Sequence, residues 1–212
     1  MTWVEQEKTA LVATFRSSDA EAPTLCEGWN VRRLLAHLIQ REQRPAGVLG
    51  DVISRKPPGQ EPGLTKLTGT AMTPAGYQEL IDRFSRDTPR WSPMSWAAEK
   101  LNLVEYVIHH EDIRRAGTEP AEPRDLPEDE QLAIRRQLGT LAKLGLRKAP
   151  VGVRLATPQG ESREIKPGDG VTLTGDPVEL ALWVSGRRDA AHVNVTGDPG
   201  AVNAFQTWAR AK

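Results

Sequence analysis

The stretch EYVIHHEDIRRA, residues 105–116, decides how the chain is organised. Glu105 and His109 are four residues apart, so on an α-helix their side chains lie one turn above each other. Val104 and Ile108 lie on the neighbouring face, which indicates that the pair borders an apolar surface. Polar groups there need partners, because desolvation without one costs ~2–7 kcal/mol. The spacing predicts either a solvated helical pair worth ~0.2–0.5 kcal/mol or two ligands of a metal ion.

A second helical stretch, RRLLAHLIQRE at residues 32–42, supplies a third candidate ligand. His37 is expected about 60° from the middle of the apolar face, where a helix meets its neighbours. One interpretation is a satisfied core or interface histidine. The other is a two-histidine, one-carboxylate set with Glu105 and His109, which leaves a coordination position open as catalytic zinc sites do. Nickel and iron(II) are compatible with the same donors.

Two neighbours of His109 have different expected roles. Asp112, one turn further on, is expected to fix the orientation of a ligating ring or to accept a hydrogen bond from Arg115. His110 points ~100° away from His109 and is expected to be a surface or interhelix residue rather than a ligand.

Composition excludes several classes of protein. The 212 residues contain 28 Lys+Arg and 28 Asp+Glu, so no net charge attracts nucleic acid or an anionic bilayer. No apolar run approaches the ~18 residues of a membrane span, and no leader is evident. These features predict a cytoplasmic protein with neither nucleic-acid nor membrane partners.

The single cysteine, Cys26, excludes an internal disulfide and a cysteine-rich zinc site within one chain. It precedes a predicted helix start, where the helix dipole lowers a thiol pKa, so a nucleophilic pair with His37 is one interpretation. A buried structural cysteine is the favoured one.

Helical periodicity dominates the first 150 residues and predicts a bundle of four helices over residues 1–118. A proline- and glycine-rich segment, residues 55–72, is expected to be a long mobile excursion. The four predicted helices are Met1 to about Arg16, Asn30 to about Ser54, Pro74 to about Asp87, and Ser95 to the residue before Gly117.

The proline-rich stretch TEPAEPRDLP, residues 118–127, predicts a linker to a small α+β domain over residues 125–212. This domain is expected to contain a helix from about Glu128 to Arg147, a final amphipathic helix, and short antiparallel strands. The strands are predicted within three alternating stretches: VGVRLAT, REIKP and GVTLTG.

The tetrapeptide Thr-Gly-Asp-Pro occurs twice, at residues 174–177 and 196–199. In each copy the Asp is expected to cap a helix that begins at the Pro. In the first copy Glu179 is expected to complete a capping box with Asp176.

These stretches also carry a resemblance to a known family. LCEGWNVRRLLAHL (residues 25–38) and VEYVIHHEDIRRA (residues 104–116) resemble the N-terminal domain of mycothiol-dependent maleylpyruvate isomerases, which are DinB-like four-helix metalloproteins. GDPVELALWVSGRRDAAHVNVTGD (residues 175–198) is similar to their small C-terminal domain, which is related to sterol-carrier-like folds. The resemblance implies a mixed α and α/β chain in which a DinB-like bundle precedes a sterol-carrier-like α+β domain.

The same resemblance implies that His37, Glu105 and His109 bind a divalent metal, commonly zinc, and that mycothiol is the cosubstrate in an actinobacterial cytoplasm. The expected activity is that of a metal- and thiol-dependent transferase or isomerase on a small electrophile, in a monomer or homodimer. Coordination by a dication deprotonates a thiol whose pKa is otherwise ~8.5. Arg41 is the candidate catalytic residue for an anionic group on thiol or substrate, and Arg44 a second candidate for cofactor binding.

Two other functions are compatible with the same candidate ligands and domains. A metal-dependent hydrolase activates water with the same ligands, although no His-Glu-x-x-His sequence is present to supply the base. A binding protein without turnover holds a metal, or an apolar ligand in its C-terminal domain.

Overall fold

The computed structural model describes residues 1–43, 62–86, 93–119 and 121–211. They form a mixed, mainly helical fold with one small four-stranded sheet. The chain divides into two compact units, Met1–Pro123 and Arg124–Lys212, and the division falls within the proline-rich stretch predicted as a linker.

The described part of the N-terminal unit is helical. Helix α1 packs against α4 and α5, whereas α2 packs against α3 and α4. Buried side chains such as Phe15, Leu35 and Phe84 form one core cluster between them. The helices are α1 (Trp3–Ser17), α2 (Val31–Gln43), α3 (Pro62–Thr70), α4 (Pro74–Ser85) and α5 (Pro93–Arg114).

Helix α3 corrects the prediction of a long excursion over residues 55–72 and adds a fifth helix to the four expected. Leu64 and Ala71 are 1% and 2% exposed, and Leu67 between them packs against the core cluster. Their spacing is helical, but the prolines and glycines around them hid this short apolar stripe. Residues 55–61, and the predicted extension of α2 to Ser54, lie outside the described residues.

The C-terminal unit combines helices with a sheet whose strand order is β2-β1-β3-β4. Helix α6 packs against α7 and against β2. The elements are α6 (Glu128–Leu146), β1 (Gly152–Ala156), β2 (Ser162–Lys166), β3 (Gly170–Thr174), α7 (Pro177–Val184), a 3-10 turn (Arg188–Ala190), β4 (Asn194–Gly197) and α8 (Pro199–Arg210).

The prediction of antiparallel strands is wrong for one pair. Strands β1 and β3 are parallel, whereas β1–β2 and β3–β4 are antiparallel. The chain crosses from β2 to the far side of β1 through Gly168, whose φ of +107° favours glycine. A Cβ at Gly152 would overlap the Gly168 carbonyl, so the two backbones can approach this closely only because residue 152 lacks a side chain.

The repeated tetrapeptide begins a helix in both copies, but the capping differs. The Asp198 carboxylate accepts hydrogen bonds from the backbone N–H groups of Gly200, at 2.9 Å, and Ala201, at 3.3 Å. Asp176 occupies the same position before α7 and makes no capping bond with its side chain. The predicted capping box is therefore wrong, and the buried Glu179 accepts from the His192 N–H at 2.8 Å instead.

Among the described helices, none combines the length and the apolar character needed to cross a lipid bilayer.

The two tetrapeptides provide a matched test of capping. We expect Asp198→Ala to lower the free energy of unfolding by about 1 kcal/mol, because two backbone N–H groups lose their acceptor. Asp176→Ala is expected to cost less than half as much, since no side-chain capping bond is lost. Urea denaturation of both variants measures this difference, and equal losses would contradict it.

Candidate metal centre

His37 lies on α2, whose first turn is fixed by the residue before it. The Asn30 side chain accepts from the Arg33 N–H at 3.1 Å, as a helix N-cap does. Trp29 packs against the core cluster and places its indole edge-on to the His37 ring, with centroids 5.1 Å apart. The start of the helix therefore also orients the imidazole.

Glu105 and His109 lie one turn apart on α5, and the structure brings His37 to both. The Oε1 atom of Glu105 is 3.8 Å from His37 Nε2 and 3.9 Å from His109 Nε2. One donor atom from each of the three residues lies within 4.8 Å of the other two. The three residues singled out in the sequence therefore converge on one point.

The donor set suits a divalent cation of intermediate softness. Ligands of a tetrahedral ion with bonds of ~2.0–2.1 Å lie about 3.4 Å apart, only slightly closer than the 3.8 and 3.9 Å seen here. Two imidazole nitrogens and one carboxylate oxygen are characteristic ligands of zinc, nickel and iron(II). The residues thus fit the expected metal in chemistry and in spacing.

Arg41 is the fourth side chain at this point. Its Nε lies 2.5 Å from Glu105 Oε1, the oxygen that faces both histidines. The Arg41 side chain is 42% exposed, so the guanidinium joins the buried carboxylate to solvent. Arg44, the second arginine candidate, lies outside the described residues.

Burial and neighbouring charges set the protonation of the centre. Burial is the main cause that lowers the pKa of His37 below 6.5, and it outweighs the effect of the nearby Glu105 carboxylate, which raises it. Burial alone would raise the pKa of Glu105, but the nearby His37 ring and the charges of Arg41 and His109 bring it below its usual value. Neutral His37 and ionised Glu105 are the states that bind metals.

Asp112 fixes the orientation of His109. Its Oδ2 lies 2.8 Å from His109 Nδ1, and the carboxylate is fully buried. If Nδ1 carries the proton and donates it to this carboxylate, the Nε2 lone pair faces Glu105. Arg115, the other partner expected for Asp112, donates from Nε to the buried Glu111 carboxylate at 2.6 Å.

Cys26 contacts this same carboxylate, a connection that the sequence did not predict. Its thiol donates to Asp112 Oδ2 at 3.1 Å, and the adjacent Leu25 N–H donates to the Asp112 carbonyl at 3.0 Å. Cys26, His109 and Asp112 therefore form a second group of potential ligands within 4.8 Å. Cys26 is half-buried, and this hydrogen bond joins it to the carboxylate that also contacts His109.

His110 is an interhelix residue, one of its two expected locations. It is 5% exposed, with Nδ1 2.9 Å from Glu7 Oε1 and Nε2 2.7 Å from Thr14 Oγ1. Because Glu7 and Thr14 lie on α1, this pair of contacts joins α1 to α5.

Both units of the chain match domains of one known protein family. A family model described as the mycothiol maleylpyruvate isomerase N-terminal domain matches residues 4–114, and one described as the MDMPI C-terminal domain matches residues 113–204. The chain is similar to a crystal structure of the mycothiol-dependent maleylpyruvate isomerase, with 19% sequence identity and a TM-score of 0.62. It is also similar to the structure of a histidine-to-alanine mutant of such an isomerase, with 16% identity and a TM-score of 0.60. Each covers 92% of this chain and 90% of its own. No curated protein matches the chain.

The depressed pKa of His37 predicts a pH dependence of the metal-free protein. At pH values between the pKa of His37 in the folded protein and its ordinary value of 6.5, His37 binds a proton in the unfolded chain but not in the folded one. The contribution of His37 to the free energy of unfolding is therefore complete above pH 6.5. It is lost as the pH falls through the pKa of the folded state. Urea denaturation with a chelator, between about pH 7 and about pH 5, should show a shallower loss in His37→Gln than in wild type. An unchanged slope in His37→Gln, or an equal change in the His192→Gln control, would contradict this origin.

Proposed function

Because the chain belongs to the mycothiol maleylpyruvate isomerase family, we propose that it is a metal- and thiol-dependent isomerase or transferase that acts on a small electrophile. The convergence of His37, Glu105 and His109 is the observation that carries this proposal. In this proposal the N-terminal unit is the DinB-like bundle that holds the metal, and mycothiol is the cosubstrate.

The three ligands would hold a divalent cation, with zinc first among those that suit the donors. Such an ion supplies positive charge that lowers the pKa of a thiol from ~8.5 and so provides thiolate at neutral pH. With three ligands from the protein, a coordination position stays open for the thiol.

Neighbouring residues hold the three ligands in the protonation states that bind a metal. The contact between His109 and Asp112 favours a proton on Nδ1, so that Nε2 remains a lone-pair donor. The lowered pKa of His37 keeps that ring neutral near pH 7. Glu105 stays ionised beside Arg41 and contributes the one full negative charge among the three ligands.

Arg41 has a role that changes with occupancy of the site. Its guanidinium now neutralises Glu105 at 2.5 Å. Once the carboxylate binds a cation, that charge no longer needs Arg41, and the half-exposed guanidinium is available to an anionic group of the thiol or the substrate. Arg44 remains a second candidate for this contact.

The direct test is turnover by purified, metal-loaded protein with mycothiol and a panel of small electrophiles that includes maleylpyruvate. We expect conversion that requires both the metal and the thiol. Cleavage without thiol would favour a hydrolase. The absence of both turnover and thiol binding would favour a binding protein, and either result would contradict the proposal.

The ligand set has a specific stoichiometric consequence. We expect about one divalent ion per chain in the wild type, and substoichiometric metal in His37→Ala and Glu105→Ala at unchanged helical content. His192→Ala is the matched control, because His192 lies in the C-terminal unit and its side chain is exposed. Elemental analysis with circular dichroism measures both quantities. Full metal content in the first two variants would exclude these ligands.

The contact between Asp112 and His109 predicts a weaker effect. Asp112→Asn is expected to lower metal affinity about 10–100-fold without abolishing binding, since the ligands remain but the ring loses its charged acceptor. Competition with a chromophoric chelator gives the affinity, and Asp82→Asn on the exposed face of α4 serves as the control. An affinity equal to that of wild type would show that this contact does not support the centre.

A further inference from the structure

The C-terminal unit contains a cleft of about 300 Å³ between α6 and the β1–β2 pair. This volume is at the lower end of the range for small-molecule sites, ~300–1,000 Å³. All its lining residues belong to the C-terminal unit, and none of the three candidate metal ligands is among them. Its apolar walls consist of side chains that are no more than 8% exposed: Leu138, Leu155, Ile165 and Leu180.

The polar part of the lining carries excess positive charge. Arg135 pairs with Glu161, the one acidic residue of the lining, at 2.7 Å. The other two arginines, Arg136 and Arg163, are exposed and have no acidic partner among the described residues. Two guanidinium groups therefore remain uncompensated at the solvent side of an apolar cleft.

Arg163 reaches across the cleft from β2 to α6. Its guanidinium lies directly against Gly139, and a Cβ at that position would overlap it. Gly139 is buried in α6, where glycine weakens a helix, so its lack of a side chain serves this close approach. The position of the charge is thus set by the packing of two elements.

Thr157, at the end of β1, adds an independent observation. It is 6% exposed and lines the cleft, yet its buried Oγ1 has no hydrogen-bond partner among the described residues. Buried hydroxyl groups in native proteins nearly always have a partner, so an unmatched one in a cleft indicates a group that arrives with a ligand.

We infer that this cleft binds a small amphipathic carboxylate. Its short apolar body contacts the leucine walls, and its carboxylate accepts hydrogen bonds from the Arg163 guanidinium and the Thr157 hydroxyl. A purely apolar ligand would leave both polar groups unmatched, whereas an inorganic anion would leave the apolar walls uncovered. This inference is independent of the proposed thiol chemistry.

Titration of the full-length protein with octanoate, followed by amide chemical shifts, tests the inference, and octanol is the neutral probe of the same chain length. We expect saturable shifts that cluster around Gly139 and Thr157, and octanol affinity lower by about tenfold or more. Equal affinity for octanol, no saturation, or shifts centred on other elements would overturn the inference.

Two variants separate ligand contacts from structural roles. Arg163→Gln should lower octanoate affinity about tenfold and leave octanol binding unchanged. Thr157→Val should lower octanoate affinity several-fold while it raises the Tm of the ligand-free protein, because an unmatched hydroxyl is removed. Arg154→Gln is the control, since Arg154 lies on β1 outside the cleft and faces Glu164 at 3.7 Å. Unchanged octanoate affinity in both Arg163→Gln and Thr157→Val would also overturn the inference.

Discussion

The Glu105 carboxylate is only 15% exposed, and a carboxylate removed from water to that degree requires positive charge or donors around it. The Arg41 guanidinium, 2.5 Å from Oε1, supplies both, and His37 and His109 lie within 4 Å of the same oxygen. These three side chains therefore surround a single carboxylate oxygen. A divalent cation satisfies the same requirement, because it brings the two histidines and the carboxylate together around concentrated positive charge. The electrostatics that keep Glu105 ionised without metal are thus those that suit metal binding.

A short connection before α2 orients both histidines. In the segment Leu25–Trp29, the Cys26 thiol and the Leu25 N–H bind Asp112, which in turn contacts His109. At its other end, Trp29 packs edge-on against His37. One turn therefore links two helices that are far apart in sequence. Residues that contact the ligands without binding the metal orient those ligands and so set the geometry of the site.

Contacts between residues close in sequence could be predicted from residue spacing, whereas contacts between residues far apart in sequence could not. The Glu105–His109 pair and the start of α2 at Asn30 are local, so residue spacing predicts them. His37 could be named from its place beside an apolar face, although its distance from α5 is a tertiary property. The role of Cys26 depends on a contact 86 residues away, which spacing within one chain cannot reveal. Helix α3 was missed because proline and glycine signals around it outweighed three apolar positions. The parallel β1–β3 pair depends on a close backbone crossing at Gly152, and alternation of residues does not report strand direction.

The central claim is that His37, Glu105 and His109 share one cation, and anomalous scattering from crystals of the metal-loaded protein tests it most directly. At the absorption edge of the metal, we predict a single strong peak at ~2.0–2.2 Å from the Nε2 atoms of both histidines and from the Glu105 carboxylate. A peak on the other side of the His109 ring, bonded to Nδ1, Asp112 and Cys26, would contradict the account, because that group is the competing set of donors in the described structure.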